Sequence, residues 1–179
     1  MTPAWAIIGK VVAAAGFAAL MALSAQIAVP MVPVPMTMQS WAVLLAGAAL
    51  GARWGVGSVL LYLAAAAAGL PVLSEGGSGP EPFTGPSAGY LVAFPIAAAL
   101  AGREAAKGRL DRPLTGWLMM NAVHLVLLAV GTAWLARTLG LADALSAGFS
   151  PFILGAMVKS ALVIACLALF RRLSPSVRS

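Results

Sequence analysis

Charge is what this chain has least of. Only 9% of its 179 residues are Asp, Glu, Lys or Arg, and just five are acidic. Soluble domains carry about 25% charged residues. With 61% hydrophobic residues and a mean hydropathy of +0.98, the apolar surface exceeds what one soluble core could hide. Residues 1–179 therefore read as a single integral membrane domain. Cysteine is almost absent too. The single Cys166 excludes an intrachain disulfide and a thiolate cluster, and its place in the last apolar stretch suits a small core residue. One histidine, His124, without acids or thiols at ligand spacing, gives no metal site. Without a nearby base or acid it is also a poor catalyst, so no catalytic residue and no enzymatic activity are expected. No Gly-Lys-Ser/Thr loop is present to cradle phosphate, so the chain is not expected to hydrolyse ATP. The net charge of +6 does not mark a nucleic-acid partner, because the basic residues sit in short loops and at the C-terminus rather than on one face.

What the chain does have is apolar runs separated by breakers. They predict an all-α protein of six transmembrane helices, over about 7–29, 39–51, 54–70, 87–101, 114–135 and 151–170. The second and fourth fall short of the roughly 20 residues that a crossing needs, so flanking residues or neighbouring helices must complete them. Pro95 is expected to kink the fourth. Lys10 followed by an apolar run and the small residues Ser24 and Ala25 imitates a secretory signal with a cleavage site. The run continues through Ile27 to Val29, and the segment is read as a retained first helix.

Placing both termini in the cytoplasm puts Lys10, Arg53, Arg103, Lys107, Arg109, Arg112, Arg171, Arg172 and Arg178 inside, and only Arg137 outside. The opposite orientation would invert the positive-inside rule. In this orientation the stretch 71–86 is an outer loop. It holds four glycines, four prolines, Glu75 and Glu81, and no base. Such a loop in so small a protein suits a lid over a binding site, against the alternative of a solvated connector.

Lys159 is the eleventh basic residue, and it stands alone. The stretch from Phe152 to Phe170 holds no other charge. A lysine near mid-membrane costs about 2.5–3.5 kcal/mol on insertion scales, so it normally faces inward and finds a partner. Its nearest acid in sequence, Asp143, lies outside the stretch. The partner must be another segment or a bound anion.

Three stretches, read together, resemble one family. Val32-Pro-Val-Pro-Met-Thr-Met-Gln39-Ser40 runs into Ala46-Gly-Ala-Ala-Leu-Gly-Ala-Arg-Trp-Gly55. Ala68-Gly-Leu-Pro-Val72 is followed, after a glycine-rich gap, by Thr84-Gly-Pro-Ser-Ala-Gly-Tyr-Leu91. Ser150-Pro-Phe152 precedes Lys159. From about residue 10 to 172 the chain is similar to BioY, the biotin-binding S component of energy-coupling-factor (ECF) vitamin transporters. The resemblance implies a six-helix cell-membrane protein that binds biotin near the outer face. It implies partners as well: a transmembrane coupling subunit and two ATP-binding subunits, which use the ATP, while this chain carries no cofactor. It gives a docking role to the alanines at four-residue spacing on the first span, Ala14, Ala18 and Ala22; the alternative is packing within the molecule. In other members an aspartate sits three residues before the sixth-helix lysine. Here that position is Ala156.

Biotin offers a carboxylate, a ureido ring with two N–H donors and a carbonyl, and an apolar thioether ring. A site for it needs a cation, polar partners and apolar walls. Lys159 is the candidate cation, for the carboxylate or the ureido carbonyl, or paired with Glu75 from the lid. Gln39 offers a donor and an acceptor that suit the ureido group, with Thr37 beside it. The alternative has Thr37 as a helix cap and Gln39 facing headgroups. Tyr90 and Trp41 are candidate walls, or else interface anchors. Asn121 and His124, at i and i+3, are expected to hydrogen-bond between helices, with ligand contact as the alternative. The reading is biotin uptake as the S component of an ECF-type transporter. The alternatives are an S component for another vitamin and a non-transporting membrane scaffold.

Overall fold

The computed structural model describes residues 4–173; Arg178, one of the basic residues assigned to the cytoplasmic side, lies outside them. Six α-helices make up most of the fold: α1 (Ala4–Ala25), α2 (Gln39–Ala67), α3 (Ala88–Ala106), α4 (Pro113–Leu139), α5 (Leu141–Gly148) and α6 (Phe152–Leu173). α1, α2, α4 and α6 are long and apolar enough to cross a membrane.

α2 is not one rod. At Gly51 the backbone turns to φ 80° and ψ 166°, outside the helical region and open almost only to glycine. The chain reverses there. A Cβ on Gly55 would strike the backbone of Gly47, although eight residues of straight helix would hold the two about 12 Å apart. The legs 39–50 and 52–67 are therefore two antiparallel helices whose contact depends on paired glycines. Counting them separately gives six long rods plus the short α5.

The first leg runs through the middle of the molecule. Ala42 to Gly47 are all buried, so it is apolar on every side, as suits a core helix. Its length of about 18 Å cannot by itself cross a hydrocarbon layer of about 30 Å. It has no need to, because its neighbours shield it. Around it, large apolar side chains face outward: Trp5, Ile8, Val12 and Leu23 on α1, Leu118 on α4, Leu154 and Leu169 on α6. A surface of that kind is stable in lipid and not in water.

Helix bounds differ from the sequence reading in two informative places. α1 ends at Ala25, not at residue 29. Pro30 holds the residue before it in extended backbone, and Ala28–Val29 pair antiparallel with Met36–Thr37 as β1 and β2. This ladder closes the proline-rich corner. The segment after residue 135, left without an element in the sequence reading, continues α4 to Leu139 and then forms α5. α3 runs unbroken through Pro95.

The rods alternate in direction, so loops gather at two ends. The proline corner, the loop 71–86 and α5 lie at one end. The opposite end holds Gly51, the turn Arg109–Asp111 and the C-terminal part of α6. That end also holds the ion pairs. Glu104 meets Lys107 at 2.8 Å and Arg109 at 2.7 Å, and Arg171 meets Asp111 at 2.7 Å.

Candidate functional site

The loop 71–86 is anchored at several points. Tyr62 donates its hydroxyl proton to the carbonyl of Val72 at 3.0 Å. Gln26 donates to the carbonyl of Leu73 at 3.0 Å. The Gly79 amide bonds Ala66 O at 2.8 Å, and the Trp134 indole donates to Gly85 O at 3.0 Å. Two short 3-10 turns, Ser74–Gly76 and Glu81–Phe83, shape it between these points.

Beneath it lies a cavity of about 300 Å³, at the lower bound of the usual range for small-molecule sites, about 300–1,000 Å³. Its walls are mostly apolar, with Leu91, Phe94, Leu127, Leu128 and Phe152 prominent. Polar groups enter from four directions. Thr37, Gln39 and Ser40 come from the corner, Ser74, Glu75 and Glu81 from the loop, His124 from α4 and Lys159 from α6.

Lys159 reaches this cavity because α6 buries one stripe: Phe152, Ala156, Lys159, Ser160, Val163 and Leu167. That is the i, i+4, i+7 spacing of a single helix face. The lysine is 7% exposed. Its Nζ donates to Ser40 Oγ at 3.3 Å. Among the described residues it forms no ion pair, although Glu75 and Glu81 also line the cavity. Ala156, one turn earlier on the same face, presents a methyl where an acid would have reached the lysine.

Gln39 and Thr37 are built into a relay. Thr37 Oγ1 accepts the backbone N–H of Gln39 at 3.3 Å and donates to its side-chain oxygen at 2.9 Å. The Gln39 amide nitrogen donates to Tyr62, which in turn bonds the loop at Val72. Gln39 is 5% exposed, so it does not face headgroups. It joins the corner to the second leg of α2 and the loop, and keeps an edge on the cavity.

Tyr90 is a wall by its ring alone. Its hydroxyl donates to Gly148 O at 2.7 Å, and the ring stacks on Phe152 with centroids 6.2 Å apart. The ring lies so close to Gly131 that a Cβ there would occupy its place. Trp41 departs from the expectation. It does not line the cavity, and its indole N–H is buried without a partner among the described residues. Each residue advances a helix by about 100°, which carries Trp41 on past the face of Ser40.

The alanine ridge on α1 also departs from the expectation. Ala14 and Ala18 are buried, Ala22 is half-buried, and Ser58 on α2 donates to Ala14 O at 2.8 Å. The ridge packs against α2 inside the molecule, so Ala14 and Ala18 offer no free docking surface. Close approach between backbones consumes the small side chains.

Ser40, Ser74, Glu81 and Phe152 belong to the cavity but were not singled out as ligand contacts from sequence. The signal for Ser40 and Ser74 was adjacency to Gln39 and Glu75. Of the pair Asn121 and His124, only His124 crosses between helices, to Ser160 Oγ at 2.9 Å. Asn121 bonds Trp117 O on its own helix.

The BioY family model matches residues 1–176. The chain belongs to the BioY family. A BioY relative in Pyrococcus horikoshii, named "Probable biotin transporter BioY", is 39% identical over 148 residues, covering 83% of this chain and 87% of the relative. Biotin transporter BioY2 of Lactococcus lactis is 35% identical over 162 residues, 88% of this chain and 87% of the relative. A crystal structure of the S-component for biotin from an ECF-type ABC transporter superposes with a TM-score of 0.79 at 26% identity. It covers 96% of this chain and 95% of that one. The BioY fold with its apolar helices is that of a multi-pass protein of the cell membrane, in a transporter family rather than an enzyme class.

Proposed function

We propose that the chain captures biotin in the cavity beneath the loop 71–86 and serves its uptake as the S component of an ECF-type transporter. One observation carries this: a buried lysine on a transmembrane helix, held among the described residues only by a serine hydroxyl, lines a cavity of ligand size. A charge kept in lipid without a carboxylate partner serves a ligand. Membership in the BioY family makes biotin the first candidate. The apolar walls suit its thioether ring and alkyl chain. Gln39, Thr37, Glu75 and Lys159 are the proposed polar contacts, with the Tyr90 ring as wall.

The positive-inside distribution supports a cytoplasmic location for both termini. The loop then covers the cavity on the outer side, and biotin enters from there. Passage inward requires a coupling subunit and two ATP-binding subunits, against which the helical body reorients. A face with almost no charge along its flanks permits such movement through lipid.

The test is Lys159→Ala in purified, detergent-solubilised protein. Biotin affinity should fall at least tenfold, a loss of about 1.4 kcal/mol. Wild-type affinity in a folded variant would remove Lys159 from the site.

A further inference from the structure

His124 is the only histidine in the chain, it is 2% exposed, and it lines the cavity. Its Nδ1 lies 3.2 Å from the carbonyl of Met120 and 2.9 Å from Ser160 Oγ. A carbonyl can only accept, so the proton belongs on Nδ1, shared between that carbonyl and the serine oxygen. A neutral imidazole carries one ring proton, which leaves Nε2 as a bare acceptor. Nε2 is fully buried and has no hydrogen-bond partner among the described residues. A buried acceptor without a partner is costly and uncommon.

The same contact sets where this acceptor stands. Ser160 follows Lys159 on α6, so the imidazole is fixed beside the lysine's own turn. His124 and Lys159 line the same cavity, one with an acceptor that lacks a partner among the described residues and the other with a cationic donor. On α6 itself the neighbouring cavity residue is Ala156, which can accept nothing. The group that matches such an acceptor and donor together is one with an N–H adjacent to a carbonyl. A cyclic urea has that edge; a carboxylate offers acceptors only.

We infer that His124 Nε2 accepts a hydrogen bond from a ureido N–H of the ligand, with Lys159 donating to the adjacent carbonyl, and that His124 is a specificity-determining residue of this site. Loss of that bond leaves an N–H of the bound ligand unpaired. Ligands without an N–H at that edge are rejected for the same reason. This inference rests on the reading of the cavity as a biotin site.

The single histidine makes the test direct. Protein labelled with nitrogen-15 at histidine, carrying no polyhistidine tag, gives two ring signals from one residue. In the free protein Nδ1 should be the protonated nitrogen and Nε2 the unprotonated one. Saturating biotin should move the Nε2 signal in the direction of hydrogen-bond acceptance. In parallel, His124→Phe should weaken biotin and its uncharged amide by the same factor, about tenfold, because both keep the ureido ring. A proton on Nε2 in the free protein, or an Nε2 signal unmoved by bound biotin, would overturn the inference. So would wild-type affinity in His124→Phe. Calorimetric silence of the wild type toward biotin would instead overturn the reading beneath it. The nitrogen signals need no substitution, so they decide the matter even where His124→Phe does not fold.

Discussion

At the scale of single residues, the cavity separates side chains that offer free polar atoms from those already committed. Lys159 and His124 offer theirs; the Tyr90 hydroxyl is spent on Gly148. Tyr90→Phe should therefore leave biotin affinity unchanged while lowering stability by about 0.5–1.5 kcal/mol, read from thermal unfolding with and without ligand. A large affinity loss at unchanged stability would make the hydroxyl a ligand contact. Lys159 was legible in the sequence because a lone charge inside an apolar run is costly wherever the helix faces. His124 as an acceptor was not legible. Its free nitrogen depends on Ser160, 36 residues away, and no spacing in sequence records that contact. Trp41 was misplaced because aromatic character says nothing about which side of a helix a residue takes.

At the scale of elements, the sequence displayed breakers more clearly than faces. The glycine and proline density of 71–86 marked a loop, and the change of run near Gly51 marked a turn. Both are local chemistry. That the two legs of α2 touch through Gly47 and Gly55 is a tertiary fact. Gly51→Ala should cost about 1–3 kcal/mol, since a Cβ strains a backbone at φ 80° and ψ 166°. Thermal unfolding in detergent measures it, and an unchanged midpoint would show that the hairpin does not need this conformation. The alanine ridge of α1 teaches the reverse lesson. Four-residue spacing identified a close-packing face, yet not whether α2 or another protein would fill it. The strands β1 and β2 have two residues each, too short for any periodicity to announce them. α5 was missed because eight residues beside a glycine look like a connector.

At the scale of the molecule, the alternation of rods places the loop 71–86 and the ion-paired turn 109–111 at opposite ends. The proposed orientation, with both termini cytoplasmic, predicts that a cysteine at Ser78 reacts with a membrane-impermeant maleimide in intact cells, in a Cys166→Ala background. One at Arg112 should react only after permeabilisation. The opposite pattern would reverse the orientation. The membrane character was fully legible, because composition alone forced it. The cavity was legible only in part: the loop above it and the lysine that lines it stood out in the sequence, but the enclosure came from five separate segments folding together.

The central claim is that this cavity binds biotin. Calorimetric titration of the purified, folded protein tests it most directly, with thiamine and riboflavin as controls. The account predicts saturable one-to-one binding of biotin and no heat from the other two. Heat from thiamine or riboflavin with silence from biotin would contradict it, and would leave the fold assigned to a different vitamin.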